Sequence, residues 1–173
     1  MAGKLIQVDT ETVSSSTASV DLVGTTTDDR YMVTINNMQV QTTNTAINMR
    51  FLAGGVAQST SNYDTTALVL RDNASFANNN LTGSYNSFFL TYIGATNVAA
   101  ANYNAIINLY DMNNSSQQSF QTMETATFQN GATVLEGQQG GGTYRVAEAH
   151  NGVQIFCTSG NIEAGTFTLF KIV

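Results

Sequence analysis

The 173-residue chain has no proline, no tryptophan, one cysteine, one histidine and few charges. Each shortage excludes something. Without proline, turns fall to Gly, Asn, Asp and Ser, and no prolyl isomerisation slows folding. One common device for blunting exposed sheet edges is also missing. A lone cysteine rules out an intramolecular disulfide framework. Cys157 lies in the apolar run "VQIFCTS", a setting that predicts a buried, inert thiol. The six Lys and Arg residues are spread singly, so no basic patch supports nucleic acid as a partner. The net charge of −6 is scattered and suits solubility better than steering. The opening "MAGKLIQVDTETV" has no apolar signal-peptide segment, and no run approaches transmembrane length. Neither membrane insertion nor Sec-type secretion is expected.

Charged residues supply only 10% of the chain against 42% hydrophobic, so the polar surface must come from Ser, Thr, Asn and Gln. Several of these compete with the backbone inside helices, whereas Thr suits strand faces and Asn and Ser suit turns. Period-2 alternation follows. "TASVDLVG" aligns Ala18, Val20 and Leu22; "RYMVTIN" aligns Tyr31, Val33 and Ile35; "AINMRFLAG" aligns Ile47, Met49 and Phe51. Further strands are expected at 66–72, 85–94, 104–112, 119–128, 143–149, 153–159 and 165–173. About ten strands separated by turn clusters predict an all-β, antiparallel, jelly-roll-like β-sandwich. It forms one domain over 1–173, with residues 1–16 as an extended amino-terminal arm. Asn151-Gly152 in "EAHNGVQI" predicts a type I′ hairpin turn between the Tyr144 and Cys157 strands. "DNASFANNNLTGS" and "GATNVAAAN" are expected to be long loops, and Asn73, Asn80 and Asn113 in their glycosylation-like triplets are loop chemistry.

No catalytic motif emerges. "GQQGGG" (137–142) lacks the P-loop ending and dinucleotide spacing, and predicts a flexible loop. His150 is expected to be a solvent-facing turn residue, with no nucleophile elbow to serve. "DMNNSS" (111–116) begins like an EF-hand loop but puts Ser116 where Gly is needed. Asp28-Asp29 suits an acidic turn. No enzyme, cofactor or metal is expected. Tyr63, Tyr85 and Tyr103 lie in or beside Asn/Ser/Thr-rich segments, where rigid rings and adaptable amides together can contact a host-surface glycan; loop aromatics also commonly pack inward.

"MAGKLIQVDTETVSSSTASVDLVG" followed by "RYMVTINNMQVQTTNTAINMRFL" resembles the amino-terminal half of a group of small virion proteins of tailed, marine-type bacteriophages. "NGVQIFCTSGNIEAGTFTLF" resembles the carboxyl-terminal strand pair of that group, and "SNYDTTALVLR" matches in style. The chain departs at Phe170-Lys171, where the group's pattern has Tyr-Gly. The resemblance implies a β-sandwich building block of the virion, a capsid decoration or knob, or a part carried on a tail fibre. Its implied partners are the major capsid protein and further copies of itself, with a homotrimer favoured. The alternative it leaves open is a receptor-binding module.

The segment "SGNIEAGTFTLFKIV" places Phe167 and Leu169 toward the core. Phe170, Ile172 and Val173 add apolar surface beyond one face's need, and are the candidate subunit contacts. That strand is expected to lie inside a sheet or at such a contact.

Overall fold

The alternation read above becomes thirteen strands and no helix in a computed structural model that describes residues 3–27, 30–93, 102–129 and 133–173. They are β1 (Leu5–Val13), β2 (Ser19–Val23), β3 (Arg30–Val40), β4 (Thr45–Ala53), β5 (Val56–Ala57), β6 (Tyr63–Arg71) and β7 (Phe76–Tyr85). Then follow β8 (Phe88–Ile93), β9 (Tyr103–Tyr110), β10 (Gln118–Gln129), β11 (Val134–Ala147), β12 (Gly152–Cys157) and β13 (Ile162–Ile172). All ten expected strands are present, and β1, β5 and β7 are additions. Asp28-Asp29 and residues 94–101 of the Ala-rich connection lie outside the described residues.

Two antiparallel sheets form. The larger runs β1-β13-β3-β9-β10-β11-β6-β7; the smaller runs β2-β12-β4, with β8 and the short β5 sharing the far edge of β4. Strip out β1, β5, β13 and the β9–β10 hairpin, and the remaining order is that of a jelly roll: β2-β12-β4-β8 facing β3-β11-β6-β7. The hairpin is a two-strand insertion that widens one face. The segment expected as an arm is extended, and over Leu5–Val13 it pairs with β13 as the edge of the larger sheet. β13 is an interior strand, as its two-faced apolarity implied, paired on one side with β1 and on the other with β3.

The facing surfaces enclose one core. Val33, Ile35, Ile107, Leu109, Phe167 and Leu169 come from the larger sheet, and Leu22, Ile47, Met49, Phe51 and Ile155 from the smaller. Each buried aliphatic or aromatic side chain contributes about 1.5–3 kcal/mol of transfer free energy.

Three turn and loop expectations fail, each because tertiary context overrides local chemistry. Asn151-Gly152 is no hairpin turn, since β11 and β12 belong to different sheets and neither residue has positive φ. Asn151 instead ties strands together: its N–H donates to the Leu52 carbonyl, its carbonyl accepts from Gly24 and Thr25, and its Oδ1 accepts the Gly55 N–H. Gly152 is needed for closeness, because a Cβ there would run into the Leu22 carbonyl oxygen. "GQQGGG" is not a loop but the middle of β11, hydrogen-bonded to β10 and β6. "FANNNLTGS" is likewise strand, the outer edge β7 paired with β6.

The β11 glycines serve packing. A Cβ on Gly142 would lie 2.9 Å from the Phe88 ring, and one on Gly140 would lie 2.7 Å from both Cα and Cβ of Ala67 and strike the Thr66 carbonyl. Backbone cannot retreat as a side chain can. Gly140→Ala is therefore expected to destabilise the fold by about 1–3 kcal/mol through overpacking, read as a lower urea midpoint at unchanged slope.

Candidate functional site

The three tyrosines expected near a binding surface separate cleanly. Tyr63 opens β6 on its inward face with Thr65, Ala67 and Val69, and it is fully buried. Its hydroxyl donates to the Gln58 carbonyl at 2.8 Å and accepts the Phe51 N–H at 3.1 Å. Tyr103 opens β9 inward in the same way, also fully buried. Loss of hydration pushes both phenols well above their ordinary range. Both rings face the core, so for these two the inward-anchor alternative is the one realised. Only Tyr85 is on the surface, 43% exposed.

Tyr85 ends β7, and Asn86 and Ser87 then carry the chain across to β8 in the other sheet. Arg50 fixes this crossing: its Nε–H donates to the Asn86 carbonyl at 2.9 Å while its guanidinium lies 4.2 Å from the centre of the Phe156 ring. Beside the crossing runs a groove of about 380 Å³, lined among others by Asn48, Asn79, Tyr85, Asn86, Phe89 and Tyr92. Phe89 and Tyr92 sit 4.9 Å apart, ring to ring, tilted by 59°. The β4–β8 register skips Leu90, pairing Asn48 with Phe89 but Ile47 with Thr91. This bulge re-aims the strand, so that Thr91 reaches Glu136 and Gln138 of the larger sheet while Tyr92 is half exposed. Asn48 is nine-tenths buried, and its Oδ1 has no hydrogen-bond partner. Sequence reading missed Asn48, Phe89 and Tyr92. The signal was the two-faced apolarity of "FFLTYI", which alternation alone assigns to no particular partner.

His150 corrects a second expectation. It is fully buried, not facing solvent. Its ring packs 4.7 Å from Phe51 and 5.3 Å from Tyr144, and Nδ1 lies 2.8 Å from Ser119 Oγ. Nε2 is 3.4 Å from Glu148 Oε1. Ser, His and Glu are thus brought together, but Ser119 is fully buried and its hydroxyl donates to the Asp111 carbonyl at 3.0 Å. The hydroxyl hydrogen is spent on backbone, so Ser119 and His150 lock the β9–β10 turn to the β11–β12 crossing.

A buried carboxylate, Glu136, sits in the sandwich near Thr91. It pairs with Arg71 Nε at 2.8 Å and accepts from Gln129 at 2.8 Å, Gln138 at 3.1 Å and Thr91 at 3.2 Å. Four donors satisfy it, which makes it structural. The Cys157 thiol is buried as expected, its pKa pushed up to about 12 by loss of hydration, so the thiolate nucleophile is scarce at neutral pH. No group of three or more His, Cys, Asp or Glu able to hold a metal occurs among the described residues.

The candidate contact residues Phe170 and Ile172 lie on the outer face of the larger sheet, paired with Met32 and Arg30 on one side and with Gln7 and Leu5 on the other. Both are half-buried there, and Val173 beyond them is exposed. The fold and its surfaces define a jelly-roll-like all-β sandwich with a lateral groove. No protein-family model matches the chain, and no curated protein matches it.

Two substitutions check these assignments. Burial holds His150 below its ordinary 6.5, against the pull of Glu148. A depressed folded-state pKa gives stability that is full above the unfolded value and lost as pH falls below it. Melting temperature is therefore expected to drop between pH 7 and pH 5, and His150→Phe to flatten that drop in a pH series. Arg71→Met leaves Glu136 buried without its cation, and denaturant titration at pH 7 is expected to show a loss of about 3 kcal/mol.

Proposed function

We propose that the protein is a non-enzymatic structural protein of a bacteriophage virion, a decoration of the capsid head that docks on the shell and associates with itself as a trimer. The observation that carries this reading is the outer face of the larger sheet. Leu68, Leu70, Phe76, Ile106, Phe120 and Leu135 all stand there at 42–70% exposure. The pairing arranges them in cross-strand rows: Phe76, Leu70, Gly137 and Ala126 in one, Leu68, Gln139, Glu124 and Ile106 in the next. Glycine and small polar residues between them keep the surface low. Within the two rows only Glu124 is charged, and exposed Asp72 lies beside the first, its N–H bonded to the Leu135 carbonyl, so little desolvation opposes burial of the rest. Scattered apolar residues on a surface are ordinary; aligned on one broad sheet they suit a flat protein partner.

The resemblance of both chain ends to small phage virion proteins supports the same reading. Jelly-roll sandwiches serve as capsid and as lectin scaffolds elsewhere, an analogy of fold alone. The other reading, a tail-fibre or receptor-binding module, is favoured by the groove beside Tyr85.

A density map of the particle tests the assignment: hundreds of copies on the head fit it, and a handful at the tail overturn it. Leu70→Asp combined with Phe76→Asp is expected to shift stability by no more than about 1 kcal/mol, since both sites are exposed. Incorporation into particles, read by quantitative gel or mass spectrometry, is expected to fall at least about tenfold, the effect of 1.4 kcal/mol of lost contact.

A further inference from the structure

We propose that the groove between β7 and β8 binds a neutral saccharide. The inference does not rest on the virion reading and uses a different surface, on the side of the sandwich where the chain crosses between sheets.

Three observations carry it. The first is the aromatic wall: Tyr85 and Tyr92 are 43% and 50% exposed, and Phe89 backs Tyr92 at 4.9 Å. An exposed ring held by a neighbour presents a flat, pre-ordered apolar face at low entropic cost. The C–H face of a pyranose is the kind of surface that such a ring covers. The second is the polar lining. Asn48, Asn79 and Asn86 bring amides that both donate and accept, while the Ser87 and Thr158 hydroxyls beside them are engaged with Asn86 and the Ala46 N–H. A sugar hydroxyl also donates and accepts, so the amides suit it.

The third observation is Asn48 itself. It is nine-tenths buried, with Oδ1 unpartnered. A buried amide oxygen without a donor is unfavourable, and a donor at the groove floor relieves it. None of the described residues lining the groove carries a charge, which selects against phosphate, sulfate and carboxylate-bearing glycans. The volume of about 380 Å³ falls in the range of small-ligand sites, about 300–1,000 Å³.

The test is saturation-transfer NMR and calorimetry on the full chain. The probes are neutral mono- to trisaccharides of glucose, galactose, mannose and N-acetylglucosamine, with sialyllactose and a heparin disaccharide as charged counterparts. At least one neutral sugar is expected to bind, with shifts at the methyl groups of Ala46 and Leu81 in the unaltered protein. Tyr85→Ala and Tyr92→Ala are each expected to weaken it at least about tenfold. Asn48→Ala, which keeps both rings, is expected to do the same. Phe120→Ala, on the outer face of the larger sheet, is expected to change nothing. Absence of transfer from every neutral sugar overturns the proposal, as do methyl shifts elsewhere, preference for the charged probes, or affinity that survives loss of both tyrosines. Because the methyl shifts are read on the unaltered protein, a variant that fails to fold leaves the proposal testable.

Discussion

Phe51 stands where both sheets and the chain crossing between them converge. Its ring, from β4, meets Phe88 of β8 at 5.0 Å, Tyr63 and Tyr144 of the opposite sheet at 6.4 Å each, and His150 at 4.7 Å. Such ring pairs add about 0.5–1.5 kcal/mol each beyond area burial. The geometry sets the spacing of the sheets at this end. It also explains the missing side chain at Gly142, which leaves room for the Phe88 ring against the backbone of β11. From Phe88 the chain runs directly into the bulge and the Tyr92 wall of the groove. The position of the lateral site is therefore set by how one ring is seated in the core.

The same interior is unusually polar toward the other end, where Glu136, Gln138, Thr125 and Thr127 face inward from β10 and β11; Gln121, opposite Gly142, adds a polar residue beside the ring cluster. Glu136 collects four donors, whereas Gln121, Thr125 and Thr127 have side-chain atoms with no protein partner. A core that mixes polar and apolar rows specifies register strongly, since a slip by one residue would carry Glu136 to solvent and Leu135 inward. That constraint matters for a fourteen-residue strand with four glycines, which offers few side chains to hold its alignment.

Much of the fold was legible in the sequence, and the failures share one cause. Strands with one apolar face, such as β3 with Tyr31, Val33 and Ile35, announce themselves because alternation is a local property. β7 did not: Asn78, Asn79 and Asn80 sit on an edge where pairing with β6 supplies what propensity withholds. Asn151-Gly152 carried the strongest local turn signal in the chain, yet its backbone groups are claimed by Leu52, Gly24 and Thr25 from distant segments. His150 looked like turn chemistry for the same reason. Of the expected site residues Tyr85 is on the surface, while Tyr63 and Tyr103 obey the strand parity of β6 and β9. Which neighbour lies over a face is non-local information, and the groove is built of such neighbours.

β13 lies between β1 and β3, and this order bears on how the protein is made. At about 5–20 residues per second, the ribosome releases β13 on the order of ten seconds after β3. For that interval β3 lacks one hydrogen-bonded neighbour, and β1 has none in its sheet. β1 and one edge of β3 must wait in the nascent chain unpaired, the form of polypeptide most prone to pair with a stranger. The chain's Thr- and Asn-rich strand faces keep such a waiting segment hydrated. Closure is then a late, long-range event of the kind that makes high-contact-order proteins slow to fold, and it makes the emergence of β13 the timing signal for completing the larger sheet.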